Sequence, residues 1–248
     1  MNNKNTPNAS QEPPRIFEES VSLNNGDSTA LAKNFVANVF SWMVVGLLIT
    51  GFVASYAASS GLYAQLVGSG GLMMWVILLS PFAFIIAMNA GLQKFSATTL
   101  TVLFLAFSGV MGLSLSSVFL LYSLGSITQV FLITAGTFAV MAFAGYTTSV
   151  DLSKFGALLF MALIGIIIAS VVNFFMQSSM MDFIISVGGV LVFTGLVAYD
   201  TQRIKRIGAG VEYGSSGATK LAILAAVSLY LNFVNLFLFL LRLLGGRD

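Results

Sequence analysis

Apolar residues fall in seven long runs along the chain, separated by short polar or Gly-rich segments. Each run is close to the roughly 20 residues that a helix needs to cross a bilayer. The predicted spans are residues 35–56, 72–89, 97–122, 127–146, 152–175, 181–199 and 220–244. We expect the sixth helix to continue as far as Arg206. The pattern therefore predicts an all-α polytopic membrane protein with seven transmembrane helices.

The beginning of the chain differs from the rest in composition. Residues 1–33 are polar, include Pro7, Pro13 and Pro14, and contain no apolar run that could form a core. Such a segment cannot bury enough apolar surface to fold by itself. We therefore predict a disordered cytoplasmic tail over residues 1–33 and one seven-helix transmembrane domain over residues 34–248.

Composition excludes several classes of function. Of the 248 residues, 57% are hydrophobic and 8% are charged, whereas soluble domains carry roughly 25% charged residues. The net charge of +2 is too small to favour a nucleic-acid partner. With no Cys and no His, the chain cannot form disulfides, thiol nucleophiles or most zinc sites. We expect no tightly bound cofactor.

The positions of the cations predict the orientation of the helices. Cytoplasmic loops of membrane proteins carry an excess of Lys and Arg. With the N-terminus inside, nine cations lie in inner segments: Lys4, Arg15, Lys33, Lys94, Lys154, Arg203, Lys205, Arg206 and Lys220. Only Arg242 and Arg247 then lie outside. This asymmetry predicts a cytoplasmic N-terminus and an external C-terminus.

The leading candidate for a functional site lies at the end of the sixth apolar run. The segment T-G-L-V-A-Y-D-T-Q-R-I-K-R, residues 194–206, holds one carboxylate, Asp200, followed by Arg203, Lys205 and Arg206. An ionisable group close to the hydrocarbon is costly and marks a functional site by default. The alternative is that Asp200 pairs with Arg203, one turn further on, and simply ends the helix.

The last span supplies the polar residues that we expect to accompany Asp200. Asn232 and Asn235 are three residues apart and share one helix face, and Tyr199 precedes the carboxylate. We predict that these residues, with Arg203, form an ion pathway or a proton-sensing site, because Ca²⁺ prefers oxygen ligands. Asp200 would make at most a weak calcium contact. The alternative role for the amides is hydrogen bonding between helices.

Two sequence signatures resemble those of a known family. G-L-V-A-Y-D-T-Q-R-I-K, residues 195–205, resembles the sixth-helix signature of the Bax inhibitor-1 family, and L-Y-L-N-F-V-N-L-F-L-F-L-L-R-L-L-G, residues 229–245, resembles its last-helix signature. M-G-L-S-L-S-S-V-F-L-L-Y, residues 111–122, is similar to bacterial members. The resemblance covers the chain from about residue 33 to its end. It implies a seven-helix bundle with the last helix at its centre, in the inner (plasma) membrane of a bacterium.

The resemblance also implies a function. Members of this family are associated with a pH-sensitive calcium leak across membranes, eukaryotic relatives suppress cell death, and some bacterial relatives modulate a membrane protease. We therefore expect a calcium leak channel whose partners are the lipid bilayer and the calcium ion. The alternative is a non-conducting regulator of a membrane protease or of a stress or cell-death response.

One residue departs from the family pattern. The family's proton-sensing site pairs two aspartates, one on each of the last two helices, and Asp200 matches the first of them. The second position, in L-Y-L-x-F, is Asn232. Two close carboxylates titrate as a coupled pair, and an amide does not ionise. The resemblance therefore implies that pH gating is weakened in this chain.

An enzyme is not expected, and we predict no catalytic residue. An intramembrane aspartyl protease needs a second catalytic aspartate, but Asp151 and Asp182 lie at the edges of loops, without a Gly-rich motif around them. General acid–base chemistry also needs a second group within reach of the first. The absence of His excludes a Ser–His protease.

Overall fold

The computed structural model describes residues 25–68, 71–212 and 214–246, with side chains described from residue 30 onward. Over this part of the chain all regular elements are α-helices. They are α1 (Asn25–Ser59), α2 (Leu62–Gly68), α3 (Gly71–Ala90), α4 (Ala97–Leu121), α5 (Leu124–Thr147), α6 (Ser153–Met176), α7 (Ser179–Ala209) and α8 (Ser216–Leu244).

Seven of these helices, all except α2, are long and apolar enough to cross a membrane. The predicted all-α fold with seven transmembrane helices is therefore confirmed. The seven-residue helix α2 lies in the segment between the first two predicted spans, where the sequence pattern gave only a loop. The sixth predicted span corresponds to α7, which continues past Arg206 to Ala209.

The boundary of the predicted N-terminal tail is wrong. Helix α1 begins at Asn25, so residues 25–33 are helical rather than disordered. The composition of these residues is polar, but the segment continues directly into the first apolar run and needs no apolar core of its own. Residues 1–24, the rest of the predicted tail, lie outside the described residues.

Helix α8 forms the centre of the bundle, as the resemblance implies. It packs against α1, α3, α4, α5 and α7. Of the residues in its most apolar 18-residue stretch, 56% are buried within the protein. The corresponding fraction for α6 is 6%, because α6 packs mainly against α7 and presents the rest of its surface to lipid. The bundle is therefore built around α8, with α6 at its periphery.

A cluster of aromatic and hydroxyl side chains fixes α8 against α1 and α4. The Tyr230 ring packs edge-on against Phe107, with 5.3 Å between centroids, and is fully buried. Thr50 Oγ1 donates to the Ser108 carbonyl at 2.8 Å, so the Tyr230 hydroxyl, 2.7 Å away, donates to Thr50 Oγ1. Since a buried hydroxyl without a partner is destabilising, these two bonds allow a tyrosine at the bundle centre.

Glycines allow the closest approaches between helices. A Cβ at Gly145 on α5 would clash with the backbone carbonyl of Ala198 on α7. A Cβ at Gly112 on α4 would lie 2.7 Å from the Thr50 carbonyl oxygen on α1. Small residues at such contacts let membrane helices pack backbone against backbone.

We predict that Gly145→Ala destabilises the bundle and that Gly136→Ala on the same helix does not. The new methyl at residue 145 meets rigid backbone, and overpacking of this kind costs about 1–3 kcal/mol. Gly136 faces open space, so its replacement should be neutral or add up to about 1 kcal/mol through helix propensity. Reversible unfolding in mixed micelles measures both variants. Equal stability of the two would contradict the tight α5–α7 contact.

Candidate functional site

Asp200 is a buried carboxylate within a membrane-spanning helix. It lies on α7, is 4% exposed, and faces α8. Its Oδ2 atom accepts hydrogen bonds from Ser228 Oγ at 2.7 Å and from Asn232 Nδ2 at 2.8 Å. Ser228 and Asn232 are four residues apart on α8, which places both donors on one face of that helix. The carboxylate therefore links the sixth and seventh spans.

The two donors form hydrogen bonds with only one of the two carboxylate oxygens. Both hydrogen bonds reach Oδ2, and within the described residues no hydrogen bond reaches Oδ1. A hydrogen bond to a charged group contributes roughly 1.5–3 kcal/mol, less than the cost of removing an isolated carboxylate from water. Asp200 thus keeps the capacity to bind a further donor or a cation.

Asp200 also lies between two cavities. The larger, about 740 Å³, is lined mainly by apolar residues of α6, α7 and α8, and includes Asn232. The smaller, about 380 Å³, is bounded by residues of α3, α7 and α8, among them Asn89 and Arg203. Three residues line both cavities: Asp200, Ser228 and Leu231. These three residues form a wall that the two cavities share.

Arg203 does not pair with Asp200 in the way that the alternative interpretation requires. Its guanidinium lies within electrostatic range of the carboxylate, but in the described part of the chain no ion pair joins the two side chains. Helix α7 continues to Ala209, beyond both residues. Asp200 therefore does not end a helix, and Arg203 instead lines the smaller cavity.

The other predicted site residues have different positions. Asn235 lines the larger cavity, but its Nδ2 donates to the Leu231 carbonyl of its own helix at 2.8 Å and does not reach Asp200. Tyr199 packs against α6, where its ring contacts Phe160 with 6.3 Å between centroids. Tyr199 lines neither of these two cavities, and its predicted role beside Asp200 stays a prediction.

Of the residues that line both cavities, Ser228 stood out in the sequence as one of the polar residues of the last span, whereas Leu231 was missed. Ser228 precedes Asn232 by four residues, and this spacing indicates a second donor on the same helix face. Sequence reasoning also missed Gln202, a buried side chain that joins α7 to the loop before α6. Gln202 Oε1 accepts from the Leu152 N–H at 2.9 Å, and Nε2 donates to the Val150 carbonyl at 2.7 Å.

The end of α7 carries a separate polar cluster. Arg206 forms an exposed ion pair with Asp151 at 3.1 Å, and Lys205 Nζ donates to the Tyr146 carbonyl at 2.8 Å. The Ser153 backbone N–H, with a smaller contribution from Arg206, holds the pKa of Asp151 below its ordinary value. Asp151 is therefore ionised at neutral pH and fixes the loop before α6 next to the end of α7.

Among the residues that the structure describes, no second carboxylate forms a hydrogen bond with Asp200. Asp151 pairs with Arg206, and Asp182 pairs with Arg242 at 3.3 Å. Within the described residues, no group of three or more His, Cys, Asp or Glu side chains is arranged to hold a metal ion. The oxygen ligands available near Asp200 come instead from its own Oδ1 and from neighbouring hydroxyl and amide groups.

Comparison with known proteins gives consistent matches over almost the whole transmembrane region. The model of the family described as "Inhibitor of apoptosis-promoting Bax1" matches residues 32–248. Inner membrane protein YbhL of Escherichia coli K12 is 45% identical over 216 residues, covering 87% of this chain and 92% of YbhL. An uncharacterized protein of Borreliella burgdorferi is 42% identical over 228 residues, covering 92% of this chain and 98% of its own length. Uncharacterized protein RP147 of Rickettsia prowazekii is 38% identical over 219 residues, covering 87% of this chain and 90% of that protein.

Proposed function

Because the chain belongs to the Bax inhibitor-1 family, we propose that this multi-pass membrane protein is a passive leak pathway for cations, with calcium as the transported ion. The observation that carries the proposal is the position of Asp200 in the wall shared by two cavities. An ionisable side chain inside a spanning segment marks ion pathways in membrane proteins. No tightly bound cofactor and no catalytic step enter this proposal.

The chemistry of the shared wall favours a weakly held cation. Asp200 offers one carboxylate oxygen that has no hydrogen-bond partner within the described residues, and Ser228 adds a hydroxyl oxygen. Calcium takes six to eight oxygen ligands in a tight site. A site with one carboxylate would therefore bind the ion weakly, and conduction requires binding that is weak enough for the ion to leave.

The pathway is closed in this conformation by the contacts that hold α7 to α8. Asn232 and Ser228 both donate to Asp200 across the helix interface, and Leu231 adds an apolar side chain to the same wall. Opening would require these donors to separate from the carboxylate. A calcium ion entering from either cavity would compete with the donors for the same carboxylate.

The proposed pH response is weak. Asn232 Nδ2 occupies the place where the family's second carboxylate would approach Asp200. An amide donates its hydrogen bond over the whole pH range, so the α7–α8 contact does not depend on a shared proton. The leak of this protein should therefore vary less with pH than that of relatives with two aspartates.

The proposed orientation has a cytoplasmic N-terminus and an external C-terminus in an inner (plasma) membrane. The ion pair of Arg206 with Asp151 and the 3.4 Å contact of Lys220 Nζ with the Leu92 carbonyl support it, because they group cations at one end of the bundle. Such a cationic end is typical of the cytoplasmic side.

Single cysteines test this orientation, since the chain contains none. Gly217 and Gly125 are exposed glycines without close neighbours, near opposite ends of the bundle. In intact cells, an impermeant thiol reagent should label Gly125→Cys and spare Gly217→Cys. Labelling of only the second variant would reverse the proposed orientation.

The central prediction concerns calcium flux through purified protein in liposomes that contain a calcium-sensitive dye. Asp200→Asn should slow the initial uptake by roughly tenfold, which corresponds to the loss of about 1.4 kcal/mol of stabilisation of the ion on its path. The matched control is Asp182→Asn, because Asp182 also lies on α7 but pairs with Arg242 near the helix end. Its uptake should equal that of the wild type.

Two results of this experiment would count against a conducting pathway through Asp200. Equal slowing by both variants would mean that Asp200 has no role beyond that of any other carboxylate on α7. Uptake by the wild type no faster than by empty liposomes would favour the alternative function, a non-conducting regulator of a membrane protease or of a stress response.

The second flux prediction concerns pH. Asn232→Asp should place two carboxylates within hydrogen-bonding distance, because Asn232 Nδ2 lies 2.8 Å from Asp200 Oδ2. Two such groups share one proton and titrate as a coupled pair. We expect a steeper pH dependence of uptake, with its midpoint at higher pH than in the wild type. A steep wild-type transition between about pH 6 and 7 that the variant leaves unchanged would exclude this pair as the sensor.

A further inference from the structure

The larger cavity at Asp200 has the features of a site for a small organic ligand. Its volume of about 740 Å³ lies within the roughly 300–1,000 Å³ typical of pockets for small organic molecules. Such pockets combine a mainly apolar lining with a few polar groups that orient the ligand. Six phenylalanines line this cavity, whereas its polar residues are grouped on the α7–α8 side, apart from Ser170 on α6.

The outer rim of the cavity faces the bilayer. Phe174 and Phe175 on α6 are 75% and 79% exposed, and Phe82 on α3 is also exposed. All three lie in membrane-spanning helices, where exposed surface contacts lipid. Because α6 packs mainly against α7 and α3 mainly against α4, the rim between α3 and α6 is open to the side. A molecule dissolved in the bilayer can therefore enter laterally.

The charge inside the cavity selects the ligand. Among the described residues that line it, Asp200 is the only charged one. Its Oδ2 is occupied by Ser228 and Asn232, while its Oδ1 has no hydrogen-bond partner in the described part of the chain. A carboxylate oxygen in apolar surroundings binds best to a cation that also donates hydrogen bonds.

We propose that this cavity binds a single-chain amphipathic ammonium ion, with its hydrocarbon chain among the phenylalanines and its ammonium group on Asp200 Oδ1. The mainly apolar lining accommodates an alkyl chain. The cationic end completes the hydrogen bonding of the carboxylate without displacing Ser228 or Asn232. This ligand site is independent of whether the protein conducts ions.

The test measures equilibrium binding of radiolabelled dodecylamine to the protein in phosphatidylcholine nanodiscs, without calcium and without an ion gradient. Empty nanodiscs give the partitioning into lipid, which is subtracted. At neutral pH the amine is protonated, as a lysine side chain is. We expect saturable binding of one amine per protein, with unlabelled dodecanol and dodecanoate as poor competitors.

Two pairs of variants separate charge from volume. Asp200→Asn should weaken the saturable binding by about tenfold or more, whereas Asp182→Asn, outside the cavity, should leave it unchanged. Ser170→Phe fills the cavity from α6 and leaves Asp200 in place, so it should also abolish binding. Gly165→Phe adds the same ring to an open position on the same helix and should bind as the wild type does.

The outcomes decide the proposal even where one variant misfolds. Absence of saturable binding to the wild type would overturn it, as would competition by dodecanol as strong as that by unlabelled amine. If folded Asp200→Asn bound dodecylamine with the affinity of the wild type, the carboxylate would have no role in binding and the proposal would fail. If Asp200→Asn does not fold, the contrast between Ser170→Phe and Gly165→Phe still decides the location of the site. Because no flux is measured, a failed leak experiment would leave this result standing.

Discussion

The site depends on one interaction, the hydrogen bonding of a buried carboxylate by donors from the central helix. Asp200 lies in a spanning segment, where an ionised group without partners would be strongly destabilising. Ser228 and Asn232 supply two donors from α8, and both reach the same oxygen atom. This arrangement stabilises the carboxylate through one oxygen, while the other has no hydrogen-bond partner within the described residues. Both the proposed cation pathway and the proposed ammonium site depend on this second oxygen.

The donors can reach Asp200 only because α8 is held at the centre of the bundle. The Tyr230–Thr50 hydrogen bond fixes α8 against α1, and the Phe107 ring packs against the same tyrosine from α4. Tyr230 lies two residues before Asn232 and points to a different side of the helix. One side of α8 is thus anchored to the rigid core while another carries the polar groups. The close contact at Gly145 brings α5 against the backbone of α7 next to the site.

Hydropathy predicted the seven spans, because the length of an apolar run is set by the thickness of the bilayer. Asp200 was selected as the candidate site residue because an ionisable group in a spanning segment is energetically costly. The contacts of individual side chains could not be predicted as well from the sequence, because they depend on how each helix is rotated and placed along its axis. Successive residues of a helix are about 100° apart, so Ser228 and Asn232, four apart, point in nearly the same direction. Asn235 lies on the same face but about 4.5 Å further along the axis than Asn232, beyond the reach of Asp200. Tyr199 adjoins Asp200 in sequence, but its side chain is turned away by about 100° and points to α6.

The amide at residue 232 determines what the α7–α8 contact would respond to in the proposed pathway. Two carboxylates at this distance could not both be ionised, so their contact would hold or break according to the proton between them. Asn232 donates a hydrogen bond to Asp200 at 2.8 Å and does not itself titrate, so the proposed pathway would respond weakly to pH. In the proposed pathway, such a contact would be opened by a metal cation that competes for the carboxylate rather than by titration. The proposed ammonium ligand would instead bind the other oxygen of Asp200 and leave the contact in place, and the apolar lining of the larger cavity suits its alkyl chain.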